Sequence, residues 1–136
     1  MQVFLKCENL QKTGSFKVRG AYNKISMMAG QGELPEMVAA SAGNHAQGVA
    51  FSAKEIGGKA TIVMPKNTPI AKIFATRAYG ADVILEGAGY DEACAYAKGL
   101  AEEKQAVFVH PFDDEDVIAG QGTLSLEILR ELPNVD

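Results

Sequence analysis

Two short stretches of this chain hold residue types that could do chemistry on a carbonyl compound. The first is Thr13-Gly14-Ser15-Phe16-Lys17-Val18-Arg19-Gly20-Ala21, which puts a lysine just inside the start of a helix. A helix N-terminus carries about half a positive charge and unpaired N–H groups, so an ammonium ion is disfavoured there. Arg19 adds a second cation to the same turn. A neighbouring cation together with partial burial is how an amine is kept neutral enough to attack a carbonyl. Lys17 is therefore a candidate Schiff-base lysine, the alternative being a solvated lysine on a polar helix face.

The second stretch is Ser41-Ala42-Gly43-Asn44-His45-Ala46-Gln47-Gly48, where an apolar run ends and a helical period begins. In open parallel sheets ligands bind at the carboxyl ends of strands, and a helix N-terminus there offers converging N–H groups to an anion. Small residues at 41 to 43 let a ligand approach the backbone, and Asn44 supplies a neutral hydrogen-bonding side chain. The alternative is an ordinary turn in which Ser41 or Asn44 caps the helix. His45 by itself indicates nothing. Other matches fail: Gly43-x4-Gly48 lacks the Lys-Ser/Thr of a phosphate loop, and Gly87-x-Gly89 lacks the third glycine of a dinucleotide fingerprint. The acidic run Asp113 to Asp116 has no metal-loop spacing and is expected to be a structural helix start, so no metal site is expected. His110-Pro111-Phe112 follows the fourth strand and is expected to border the same cleft, with no defined role for His110.

The elements that must position these residues alternate. Apolar runs at Met37 to Ala40, Ala60 to Met64, Asp82 to Leu85 and Ala106 to Val109 recur every 22 to 24 residues, each ending in a turn signal before a helical period. Connections this short require helical crossovers and hence a parallel sheet. The fold class expected is α/β, an open parallel sheet of about four strands with helices on both faces. After Asn44, the residues Ala46, Val49, Ala50, Ala53 and Ile56 repeat at helical spacing until Gly57-Gly58. Thr68 caps the next helix with Pro69 at its first position, and a third begins near Gly89. Val3 to Cys7 is expected to be a strand. Residues 114 to 123 suggest a short helix interrupted by glycines, followed by an amphipathic helix from Leu124 to Pro133.

At 136 residues and 47% hydrophobic content, the chain matches one domain with a real core. A net charge of −4 and a pI near 5.2 argue against a nucleic-acid partner. No apolar run approaches the ~20 residues of a membrane span, and no signal sequence opens the chain, so a cytoplasmic protein is expected. Cys7 and Cys94 lie in no paired spacing and are expected to be reduced, buried thiols.

Lys6 to Ala21, followed by Ser41 to Gly48, closely resembles the serine/threonine dehydratase family, pyridoxal-phosphate enzymes of the tryptophan-synthase-β-like fold. The resemblance continues through Val63-Met64-Pro65 and Val117-Ile118-Ala119-Gly120-Gln121-Gly122-Thr123. It implies that Lys17 is the cofactor-linked lysine and the base that takes and returns the α-proton. It further implies that Phe16 packs beside the cofactor, that Asn44 hydrogen-bonds the cofactor's ring oxygen, and that the backbone of Ser41, Ala42, Gly43, Asn44 and His45 grips the substrate carboxylate. The activity implied is elimination from L-threonine or L-serine to a 2-oxo acid and ammonia, with threonine favoured. Dehydration is favoured over racemization, because serine racemases of this kind carry serine where this chain has Ala42. Residues 1–136 then form a single α/β domain, the small domain of such an enzyme, with 1–30 and 114–136 as flanking pieces of an incomplete larger one. The family's phosphate-binding loop would lie beyond Asp136, so the chain alone is expected to have little or no activity. Apolar surface left uncovered along Val3 to Leu5 and Leu124 to Leu132 gives an expectation of self-association as a homo-oligomer. A non-catalytic α/β module that binds a small anion at Ser41 to His45 is the other reading.

Overall fold

A computed structural model describes residues 2–32 and 34–135. Two 3-10 turns, Glu8–Leu10 and Lys12–Gly14, precede helix α1 (Lys17–Gly30). The chain then alternates β1 (Met37–Ala40), α2 (Asn44–Glu55), β2 (Ala60–Met64), α3 (Ile70–Ala78), β3 (Asp82–Leu85), α4 (Tyr90–Glu103), β4 (Val107–Phe108) and α5 (Glu115–Glu131). The four strands form one parallel sheet in the order β3-β2-β1-β4. Every residue of β1 and β2 is buried, as a continuous apolar run between two helical layers requires.

The two-residue period of the strands sorts the core into two layers. Met37, Ala39, Ile62 and Met64 face Ala21, Ile25, Ala46, Val49, Ala50, Ala53 and Val117, the apolar stripes of α1, α2 and α5. Val38, Ala40 and Val63 face Ala93, Ala97 and Ala101 of α4. Helices thus lie on both faces, as expected, and α1 is held between α2 and α5. Among the described residues no helix is long and apolar enough to cross a membrane.

The structure corrects several expectations. Val3 to Cys7 is not a strand: it runs along the end of α5, beside Ile128 and Leu132, with Lys6 paired to Glu127 and Glu131. Strand propensity needs a ladder partner, and no sheet edge lies beside this segment. Cys7 is exposed, and Cys94 is half-buried. Residues 115–131 form one unbroken helix, because Gly120 sits at a close helix crossing and does not interrupt the backbone. Helix α3 starts one residue later than expected, since Pro69 keeps an extended ψ of 135° and only its carbonyl enters the helix. β4 is a two-residue strand, although the Val109 N–H still bonds Val38 O. Val3, Phe4, Leu5, Leu126 and Leu129 are exposed, as anticipated for uncovered apolar surface.

Candidate functional site

Strand order locates where a ligand would bind. The chain lays down β1, β2 and β3 in one direction, then returns to place β4 on the other side of β1. Loops leaving the carboxyl ends of β1 and β4 diverge there, which is the topological switch point where open α/β sheets bind ligands. The β1 loop is Ser41–Gly43; the β4 loop runs from Val109 to Asp114. Lys17 reaches this region from α1, outside the sheet.

The approach to Lys17 is a tight turn. Thr13 (φ 64°) and Gly14 (φ 71°) both take the left-handed conformation, costly for a β-branched threonine, before Ser15 extends and α1 begins. The buried Ser15 Oγ accepts from the Lys17 N–H at 3.3 Å, one residue ahead of the Phe16 N-cap, which has no side-chain cap bond of its own. Lys17 is half-buried, and its Nζ donates to the Pro111 carbonyl at 2.6 Å. The same Nζ lies 5.6 Å from the centre of the half-exposed Phe16 ring. On the other side, Gly48 of α2 abuts the start of α1: a Cβ there would fall 3.2 Å from Lys17 O, so a bare glycine lets the helices meet.

Burial lowers the basicity of the Lys17 amine, but the expected help from Arg19 is absent. The Arg19 guanidinium is claimed by two carboxylates, Glu8 (Nε 2.8 Å, Nη2 2.9 Å) and Glu127 (Nη1 2.6 Å, Nη2 2.8 Å). A cation neutralised this way exerts little net field on its neighbour. Desolvation alone holds the amine down.

Around 41–48, Ser41 Oγ accepts from Gly43 N–H at 3.1 Å, forming a turn. Helix α2 starts with no side-chain cap and no acid in its first turn, so the capping alternative is not what the structure shows. Its leading N–H groups have no side-chain cap. Ser41, Ala42 and Gly43 are half-buried and Asn44 is exposed. His45 is 3% exposed, with Nε2 2.9 Å from Val109 O. A carbonyl only accepts, so Nε2 carries the proton and Nδ1 is a bare acceptor, which has no partner. The His45 side chain therefore faces the interior, and only its backbone can serve a ligand. Burial pushes this imidazole down to about 4, with Lys17 and His110 adding to the fall and the Val109 bond opposing it.

That shift predicts acid sensitivity. The unfolded chain takes up the proton at the ordinary value of 6.5 while the fold resists until about 4. Stability from this group is complete above pH 6.5, declines as pH drops toward 4, and levels off below. Between pH 7 and pH 5 the loss is about 2 kcal/mol. Urea midpoints at the two pH values for the unaltered chain and His45→Gln check it, the variant being expected to lose this part of the pH dependence.

Lys17 and His45 are thus joined through Val109–Pro111, with Phe16 beside the amine and Asn44 at the open helix start. The carbonyls of Val109 and Pro111 were not singled out from sequence, because every residue has one. A proline three residues beyond the end of β4 is the local hint. His110 is a turn former whose Nδ1 accepts from Phe112 N–H (3.3 Å) and Asp113 N–H (2.7 Å). The acidic run is a helix start as expected: Asp114 caps α5 through Asp116 and Val117 N–H, and Lys24 pairs with Asp114 and Asp116. Among the described residues no cluster of His, Cys, Asp and Glu could hold a metal.

Comparison with known proteins gives a consistent picture. The profile of a family described as pyridoxal-phosphate dependent enzyme matches residues 1–136. An L-threonine ammonia-lyase of Thermotoga maritima is 58% identical over 135 residues, covering 99% of this chain and 34% of that protein. The structure of the processed form of threonine deaminase isoform 2 from Solanum lycopersicum superposes with a TM-score of 0.89 at 48% identity, over 96% of this chain and 36% of that one. A serine racemase from Dictyostelium discoideum gives 0.86 at 42% identity, over 96% and 43%. The chain spans about a third of the length of the curated relatives it matches.

Proposed function

The chain belongs to the pyridoxal-phosphate dependent enzyme family, and from that premise we propose that it carries the lysine and carboxylate-binding side of an L-threonine/L-serine ammonia-lyase site. The observation that carries this is the half-buried Lys17 amine, lowered in basicity and held by Pro111 O beside the uncapped start of α2. The donor set fits the cofactor: an amine, an exposed amide at Asn44, an aromatic face at Phe16 and an anion-accepting helix start. Pyridoxal phosphate, when bound, supplies an aldehyde carbon and an electron-accepting ring.

In this reading Lys17 Nζ accepts the substrate's α-proton and later returns it, which requires the amine to be neutral at that moment. Burial favours the neutral form, and the Pro111 carbonyl orients it. Phe16 would flank the cofactor ring, the Asn44 amide would bond its ring oxygen, and backbone N–H groups from Ser41 to His45 would hold the substrate carboxylate. Ala42 offers only a methyl, with no proton to deliver to the opposite face, which supports elimination of the β-hydroxyl over racemization. The relatives named for threonine support that substrate, with serine the alternative. Two unpaired thiols suit a reducing cytoplasm, and exposed apolar residues near the N-terminus suit a homo-oligomer.

Incubation with pyridoxal phosphate, reduction with borohydride and peptide mapping test the reading. A phosphopyridoxyl group confined to Lys17, and lost in Lys17→Met, is the expected result. Absent labelling, or labelling spread over surface lysines, would favour a non-catalytic module that binds a small anion at Ser41 to His45.

A further inference from the structure

We infer that the His45 side chain is a positioning residue for the Lys17 amine, acting through the backbone strut Val109–Pro111. The inference rests on the reading of Lys17 as the reacting amine and names a residue that sets its placement. His45 gives its Nε2–H to Val109 O at 2.9 Å, and two residues along the same strut Pro111 O receives the Lys17 Nζ at 2.6 Å. Among the described residues, these are the side-chain hydrogen bonds made to the backbone of Val109–Pro111. Besides the burial of Val109 and Pro111 and the His110 Nδ1 turn to Phe112 and Asp113 N–H, the sheet gives the strut little support. β4 is two residues long and pairs only with β1, and after Val109 N–H bonds Val38 O the chain leaves the sheet.

Both ends of the strut transmit position. Val109 and Pro111 are buried, so neither shifts without disturbing the core. Proline's ring fixes its own φ, and the His110 between them is tied by its Nδ1 to Phe112 and Asp113 N–H, which limits how much of a displacement at Val109 is absorbed before the Pro111 carbonyl. His45 is also a poor choice for packing alone, because its Nδ1 is buried without a partner, a cost that a leucine would not carry. What the imidazole adds is a rigid donor of fixed tautomer, reaching from the first turn of α2 to the end of β4. The same turn of α2 leads to Gly48, which touches the Lys17 backbone. The start of α2 thus locates both the main chain and the amine of Lys17.

The test is competitive labelling of the full chain with formaldehyde and cyanoborohydride at pH 8, with mass spectrometry comparing Lys17 with the exposed Lys54 and Lys72. In His45→Leu the strut is released, the Lys17 amine gains water and with it basicity, and its labelling relative to the references is expected to fall about threefold because a smaller share of the amine is neutral. His45→Gln, which keeps a donor toward Val109 O, is expected to restore most of the original ratio. An unchanged Lys17 ratio in His45→Leu, with only a lowered melting midpoint, would overturn the inference, as would a glutamine variant that behaves like leucine. Should His45→Leu not fold, the 15N signals of the His45 ring in the unaltered chain decide: protonation at Nε2 with a bare Nδ1 at pH 7 supports the strut, and the reverse tautomer refutes it. Absence of a phosphopyridoxyl group on Lys17 in the unaltered chain would instead end the proposed reaction, whatever the His45 variants do.

Discussion

Gly120→Ala is expected to destabilise the fold by about 2 kcal/mol, even though alanine is the better helix former by about 1 kcal/mol. The reason is the crossing of α1 and α5. A Cβ at position 120 would lie 2.6 Å from Arg19 O, 2.7 Å from Gly20 Cα and 2.8 Å from Asn23 Cβ. None of these atoms can swing aside as a flexible side-chain end would. The reciprocal position is as tight, a Cβ on Gly20 falling 2.6 Å from Val117 O. Helices that meet backbone to backbone must separate to admit a methyl, and the loss of close contact outweighs the gain in propensity. Gly120→Val should cost more, about 3 kcal/mol. Gly122 provides the control within the same helix, for nothing lies within 4 Å of its added Cβ. Gly122→Ala is therefore expected to stabilise by about 0.5–1 kcal/mol. Urea unfolding of the variants checks the pair, and equal signs would refute the crossing as the cause.

Arg19→Ala is expected to cost about 2–3 kcal/mol and to loosen the segment that leads into Lys17. The Arg19 side chain is 13% exposed and that of Glu8 is 14%, so removing the guanidinium leaves a largely buried carboxylate without its cation. Glu8 belongs to the first 3-10 turn, Arg19 to α1 and Glu127 to α5, so one side chain binds three parts of the chain. Thr123 Oγ1 takes a further bond from Nη1 at 3.1 Å. Arg19→Lys keeps the charge but has no planar fork, and should recover less than half of the loss. Hydrogen exchange over residues 8–16 is the local readout: faster exchange in both variants is expected, and protection unchanged from the parent would count against the clamp.

Much of this organisation was legible in the residues themselves. The four apolar runs that became β1 to β4 are bounded by turn residues, and the fully buried β1 and β2 need little beyond such a run. The helix after Asn44 showed its buried stripe at Ala46, Val49, Ala50 and Ala53, and all four are in the core. Lys17 and the Ser41–Gly48 turn stood out because their types and local positions are unusual. Less legible were Val3 to Cys7, whose composition suits a strand but which has no ladder to join, and the glycines of α5. In the sequence a glycine that breaks a helix and one that admits a neighbouring helix look identical. The partner atom that distinguishes them is about a hundred residues away.

Local chemistry alone therefore determined the βα rhythm and the sheet, since propensity and periodicity act over a few neighbours, while Lys17 and the Ser41–Gly48 turn were picked out by residue type together with the family resemblance of the two stretches. Tertiary structure decided how the amine is held. Pro111 O is 94 residues from Lys17, Val109 O is 64 from His45, and the carboxylate of Glu127 that quenches Arg19 is 108 away. Such contacts involve backbone carbonyls and charges whose types are common everywhere in a chain. Only folding brings the particular ones within hydrogen-bond range, and it is burial in that folded state, with no help from a neighbouring cation, that lowers the basicity of Lys17.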